Sequence, residues 1–190
     1  LFVNRGDGTF EEVPGSGLED PLFSVGAAFL DYDGDGDVDV VVANYLDSTP
    51  EWELKQPQFE LRVPDDYVGQ PSHLFRNDGG RFTRVHLSSG RFLDAHGKPL
   101  TEEAESFGLG AKFVDLNGDG REDLLVCQYG NILGRLSWHE KLVNGQYLEH
   151  PLREQPGALY AYVRDFNNDG LPDIITLMAQ AQEGVYLYLN

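Results

Sequence analysis

The 190-residue chain has little sulfur and little positive charge: one cysteine, one methionine and fourteen Lys and Arg. A single cysteine excludes a disulfide framework within the chain. Cys127 sits in the apolar run Leu124-Leu125-Val126-Cys127 with no basic neighbour to lower its pKa, so it reads as a small buried hydrophobe, not a reactive thiol. Against the fourteen basic residues stand thirty-two acidic ones, a formal charge of −18, which excludes nucleic acid as a natural partner. No run approaches the roughly 18 to 20 apolar residues of a membrane span, and Leu1-Phe2-Val3-Asn4 leads into no signal peptide. The sequence starts without an initiator Met, which reads as a mature or trimmed product. Zinc chemistry lacks its ligands: His73, His86, His96, His139 and His150 show no ligand spacing and are expected on the surface or in turns. Helical periodicity is missing as well, with no convincing stretch of ten residues.

What the chain does have is 41% hydrophobic residues, enough for one globular domain with a core, and a plain internal repeat. The stretch DYDGDGDVDVVV at 31–42 returns as DLNGDGREDLLV at 115–126 and as DFNNDGLPDIIT at 165–176, each after a small-residue and aromatic run. A second marker alternates with it: LFVNRGDGTF at the start, HLFRNDGGRF at 73–82, a worn LSWHEKLVNGQY at 136–147, and YLYLN at the end. In its complete copies a short strand meets a tight Asn/Asp/Gly turn and then an aromatic residue, which is how a β-hairpin reads. Four short strands per unit predict an all-β chain: a β-propeller segment of about three four-stranded antiparallel blades plus part of a fourth. The units run over about 1–45, 73–130 and 135–180, with 185–190 opening another. Propellers close with typically four to eight blades, so further blades or subunits are expected to complete the ring.

Residues 46–72 form an insertion with four prolines, read as a long excursion from one blade that packs its aromatics Trp52, Phe59 and Tyr67 over the blades or offers them as a contact surface. Arg5-Gly6-Asp7 spells an integrin-recognition tripeptide, but it lies inside the repeat's own turn and is explained by hairpin geometry.

The Asp-rich copies carry oxygen side chains at positions 1, 3, 5 and 9: Asp31, Asp33, Asp35 and Asp39; Asp115, Asn117, Asp119 and Asp123; Asp165, Asn167, Asp169 and Asp173. A hard cation such as calcium takes six to eight oxygens, and alternating positions in a tight loop can aim theirs at one centre. Position 7 varies as Asp37, Arg121 and Leu171, so only its backbone carbonyl can serve in all three copies. Gly36, Gly120 and Gly170 at position 6 mark a backbone reversal with positive φ. An EF-hand would place Glu at position 12; here position 9 closes the set and the chain passes directly into an apolar strand. About three Ca²⁺ sites are therefore expected, and three dications would add six positive charges to the formal −18. Magnesium, which keeps its waters and wants an octahedron, fits less well.

The three loops with their preceding FG or GA stretches, and the LF-x-N-x-GDG-x-F marker, resemble the FG-GAP/VCBS repeats of integrin-alpha-type β-propellers. The run from VANY through the insertion to HLFRNDGGRF resembles bacterial propeller proteins with an ASPIC/UnbV region. This resemblance implies calcium held between strands of a blade at positions 1, 3, 5, 7 and 9. It also implies an extracellular, periplasmic or cell-surface location and a role in adhesion or in protein or carbohydrate contact, with no catalytic residues. Two other readings stay open: a polysaccharide lyase or hydrolase with its site in a central channel, and a scaffold subunit of a larger assembly. For the enzyme no acid, base and nucleophile set emerges, and Glu102, Glu103 and Glu105 read as a solvated run.

Overall fold

A computed structural model of the chain describes residues 1–47, 69–86, 89–100, 108–130, 134–180 and 182–190. They hold fourteen β-strands and, among the described residues, no α-helix and so no helix able to cross a membrane. The strands are β1 (Phe2–Asn4), β2 (Phe10–Glu12), β3 (Ser24–Leu30), β4 (Asp39–Asn44), β5 (His73–Asp78), β6 (Arg81–Val85) and β7 (Phe92–Leu93). The second half supplies β8 (Gly108–Val114), β9 (Asp123–Gln128), β10 (Arg135–Lys141), β11 (Tyr147–Arg153), β12 (Ala158–Arg164), β13 (Asp173–Met178) and β14 (Gly184–Tyr188).

These strands form four sheets without closing a barrel, as an incomplete propeller does. The order β3-β4-β5-β6 is an antiparallel meander, and β8-β9-β10-β11 is another, extended by a short parallel pairing of β7 with β11. The other two sheets are the three-stranded β12-β13-β14 and the hairpin β1-β2. The sheets group the strands in a different phase from the sequence units. The first meander takes β3 and β4 from the unit 1–45 and β5 and β6 from the unit 73–130, and the tail at 185–190 runs largely in β14, paired with β13. A repeat fixes the spacing of its markers; where one sheet ends and the next begins depends on which strands bond.

The insertion leaves and returns between β4 and β5, where Leu46 bridges Gly69 and the Gln70 N–H donates to the Tyr45 carbonyl at 3.1 Å. Trp52, Phe59 and Tyr67, like Glu102, Glu103 and Glu105, lie outside the described residues. The worn marker at 136–147 still makes its turn: the Leu142 N–H donates to Gln146 O at 2.7 Å, joining β10 to β11.

Each Asp-rich loop joins two strands in the same register, Leu30 opposite Asp39, Val114 opposite Asp123 and Arg164 opposite Asp173. Each pair carries an irregularity at its far end, after Ser24, Gly108 and Ala158. The apolar strands after the loops are central in their sheets; β4 and β9 are buried on both faces, whereas β13 leaves Leu177 exposed, and the side chains divide by period two. In β9, Leu124 and Val126 pack with Leu30, Val41 and Leu74 of the first meander, whereas Leu125 and Cys127 pack with Ala158, Ala161 and Ile174 of the third sheet. Sheets thus stack face to face, each buried leucine contributing about 1.5–3 kcal/mol. Burial pushes the Cys127 thiol up to about 12, which makes it the inert hydrophobe the sequence suggested. The linker before β3 is held by the Phe82 N–H donating to Ser16 O at 2.8 Å, and Gly17 follows at φ 90° where a Cβ would collide with the Phe82 carbonyl.

Candidate metal centres in the Asp-rich loops

The three loops turn alike. The position 1 carboxylate accepts backbone N–H groups from inside its own loop: Gly34, Asp35 and Gly36 on Asp31, Asp119 and Gly120 on Asp115, and Asn168, Asp169 and Gly170 on Asp165. Position 5 accepts the N–H of position 7, at 2.8 Å for Asp35 and 2.9 Å for Asp119 and for Asp169. Gly36, Gly120 and Gly170 have φ of 93°, 85° and 91°, the left-handed backbone that the reversal needs. Position 4 is left-handed too, with Gly34 at 81°, Gly118 at 74° and Asn168 at 62°, and Asn is among the few side chains that accept this conformation.

Position 9 does more than close the loop. Asp39, Asp123 and Asp173 are fully buried. One oxygen of each accepts the N–H of position 2, from Tyr32 at 2.8 Å, Leu116 at 3.1 Å and Phe166 at 2.8 Å. The other accepts a backbone N–H from the next hairpin marker, from Asn77 at 2.7 Å, Lys141 at 2.8 Å and Asn190 at 3.0 Å. Because the donor is main chain, the marker tolerates Lys where two copies have Asn. The same hairpins hold position 7: Asp37 accepts the Gly79 N–H at 2.7 Å, and Arg121 Nε donates to Lys141 O at 2.6 Å.

Burial pushes the Asp39 and Asp123 carboxyls up, against the hydrogen bonds that lower them. Asp173 goes the other way, lowered by the Asn190 and Phe166 N–H groups. With a raised folded value, the stability contributed by Asp39 and Asp123 is complete below the ordinary carboxylate range and is lost as pH rises through it; that of Asp173 is lost as pH falls. A titration of the metal-free protein followed by carboxyl ¹³C shifts is expected to show Asp173 ionising first, below the other two.

The copies differ in what their oxygens lack. In the first loop, carboxylate oxygens of Asp31, Asp33 and Asp39 lie within 4.8 Å of one another, and Asp33 Oδ1 is buried without a hydrogen-bond partner. In the other two, the position 3 amide supplies its own donor: Asn117 Nδ2 reaches Asp119 at 2.9 Å, and Asn167 Nδ2 reaches Asp169 at 2.7 Å. The second loop has a further cation, since the Arg121 guanidinium pairs with Asp119. Sequence reasoning kept Arg121 for its carbonyl alone and missed that its side chain folds back onto the loop.

The other sequence candidates resolve simply. Arg5 pairs with Glu11 at 2.9 Å and Asp7 accepts from Thr9, so the Arg-Gly-Asp residues are engaged within their own hairpin. His73, expected at the surface, is 6% exposed.

A family model described as "FG-GAP-like repeat" matches residues 1–42 and 115–176. Among curated proteins, human Cartilage acidic protein 1 is 30% identical over 66% of this chain and 24% of its own length. The mouse protein of the same name is 28% identical over the same shares. The chain thus spans about a quarter of the length of these curated relatives. The repeat model covers more than half of the residues, including all three Asp-rich loops, and on that ground the chain belongs to the FG-GAP-like repeat family.

Proposed function

We propose that this chain is a non-catalytic, calcium-stabilised β-propeller segment of an extracytoplasmic protein that serves interaction with protein or carbohydrate. The observation that carries the calcium reading is the buried, partnerless Asp33 Oδ1 among the carboxylates of Asp31 and Asp39. Three carboxylates so close repel one another strongly unless a cation lies between them, and an all-oxygen set suits a hard dication. Asp31, Asp33, Asp35 and Asp39 would hold it in the first loop, with the corresponding Asp and Asn residues of the other copies in theirs. The ion's contribution is structural: it neutralises the loop that joins two strands.

The family suggests an extracellular, β-propeller-like module, and the relatives' printed name, with its reference to cartilage, agrees with that setting. Calcium sites of extracellular modules work at Kd of about 10⁻⁴–10⁻³ M. For the interaction role, support comes from the row formed by β3, β8 and β12. A cleft of about 570 Å³ runs along it, and Lys112 Nζ lies 4.9 Å and 5.4 Å from the ring centres of the exposed Tyr160 and Tyr162.

Calcium titration by calorimetry tests the reading. Three unequal sites are expected: the first loop tightest for its unpartnered carboxylate, the second weakest because Arg121 already offsets Asp119. Arg121→Ala is expected to tighten the weakest site several-fold while leaving the tightest unchanged. Absence of binding up to about 10 mM calcium, well beyond that affinity range, would sink the calcium role.

A further inference from the structure

Three exposed asparagines, Asn117, Asn144 and Asn167, sit in the same kind of turn. Each side-chain oxygen accepts the backbone N–H two residues on, from Asp119 at 3.1 Å, Gln146 at 3.0 Å and Asp169 at 3.0 Å. Each side-chain nitrogen donates to the side chain of that same residue, at 2.9, 2.7 and 2.7 Å. The three turns differ at the residue in between.

Asn117 and Asn144 are followed by glycine, Asn167 by Asn168. The Asn168 N–H is held by Asp165 Oδ1 at 2.6 Å, and the Gly145 N–H by Leu142 O at 2.9 Å. Gly34, which stands in the first loop where Gly118 stands in the second, donates to Asp31 at 2.8 Å. Among the described residues, none accepts from the Gly118 N–H; Asp115 takes the Asp119 and Gly120 N–H groups instead. Gly118 is also exposed, with nothing within 4 Å of where a Cβ would stand. A backbone nitrogen directly after Asn is tethered beside the side-chain amide, so its attack is a step within one molecule once its proton can leave.

We propose that Asn117 is a site of spontaneous deamidation, converted through Gly118 to aspartate or isoaspartate. Gly118 N gives its proton to hydroxide and attacks Asn117 Cγ; a C–N bond forms while the carbonyl electron pair moves onto Oδ1. The Asp119 N–H that donates to Oδ1 faces this charge as it develops. Arg121, paired with Asp119, offsets part of the negative field that opposes loss of the Gly118 proton. When the carbonyl re-forms, the Cγ–Nδ2 bond breaks, and the nitrogen takes a proton from water and leaves as ammonia, restoring the hydroxide. Water then opens the cyclic imide, at the side-chain carbonyl to give aspartate or at the main-chain carbonyl to give isoaspartate. The sum is water consumed and ammonia released. The aspartate product gives the second loop carboxylates at positions 1, 3, 5 and 9, the set of the first loop. The isoaspartate product lengthens the main chain by a methylene and moves the later positions out of phase.

The test is peptide mapping by mass spectrometry of the folded chain, incubated at mildly alkaline pH with its fold followed by circular dichroism. Releasing the Gly145 N–H costs about one hydrogen bond, so Asn117 is expected to convert about three- to tenfold faster than Asn144. Asn167 is expected to trail both. In denaturant Asn117 and Asn144 are expected to draw level, because only the fold ties up the Gly145 N–H. Gly118→Asn copies the third loop, and Asn suits the left-handed φ of 74° as Asn168 does at 62°; this variant is expected to slow Asn117 to the rate of Asn167. The proposal is overturned if Asn117 stays an amide while Asn144 converts, if the two convert equally fast in the folded chain, or if the folded chain keeps both amides after the denatured chain has lost them. The wild-type comparison decides the matter even if the variant does not fold.

Discussion

Adding EGTA in excess is expected to lower the thermal midpoint of this chain by about 5–10 °C for each calcium released, and magnesium is expected not to restore it. An ion bound only by the folded state stabilises it by RT ln(1 + [L]/Kd), about 2.7 kcal/mol per site at a hundredfold excess over Kd. For a chain of this size each kcal/mol moves the midpoint by about 2–4 °C. The effect should reach beyond the loops, because their backbone is bonded to the neighbouring sheet. Lys141 Nζ donates to Asp31 O at 2.9 Å, the Tyr147 hydroxyl to Tyr32 O at 3.3 Å, and Asn190 Nδ2 to Leu116 O at 2.6 Å. A loop loosened by chelation would therefore weaken the packing of one sheet on the next. An unchanged midpoint would contradict a structural ion.

The second large effect is expected at Asp123. Replacing it by Ala leaves the Leu116 and Lys141 N–H groups unpaired at a fully buried position and removes two hydrogen bonds to a charged acceptor, each worth about 1.5–3 kcal/mol. A loss of about 3 kcal/mol or more in chemical denaturation is the expected result. Asp123→Asn keeps the shape but turns an amide N–H toward one of the two donors, so it should recover only part of the loss. Measured in EGTA as well as in calcium, the pair separates the two duties of position 9. If both variants match the wild type once calcium is removed, the carboxylate acts only through the metal and the hydrogen-bonded clamp contributes nothing.

That clamp explains why two kinds of marker alternate along the sequence. The Asp-rich loop and the hairpin are adjacent in the fold because the ninth residue of the one accepts from the backbone of the other, at Asn77, Lys141 and Asn190. The alternation was visible in the sequence; its cause was not. Marker residues that act through their N–H leave no side-chain signature, and Lys141 in the worn copy looks like a loss when the bond is intact. Conversely, Asn117 and Asn167 offer an oxygen at position 3 as Asp33 does, but in the structure their amides also provide a donor that Asp33 lacks.

Residue order is enough to give the all-β class, the number of Asp-rich loops, their oxygen positions and the strands that follow them. All of these are local: a ligand spacing, a left-handed glycine or a period of two is written within a dozen residues. Folding in three dimensions set which strands share a sheet, and that the ninth carboxylate is shared between a loop and a hairpin 38, 18 or 17 residues away. It also decided that His73 is buried against Asp20 instead of lying at the surface. Those outcomes depend on chain segments meeting across the fold, where burial and partner geometry set the chemistry of a side chain, and no local period encodes such a meeting.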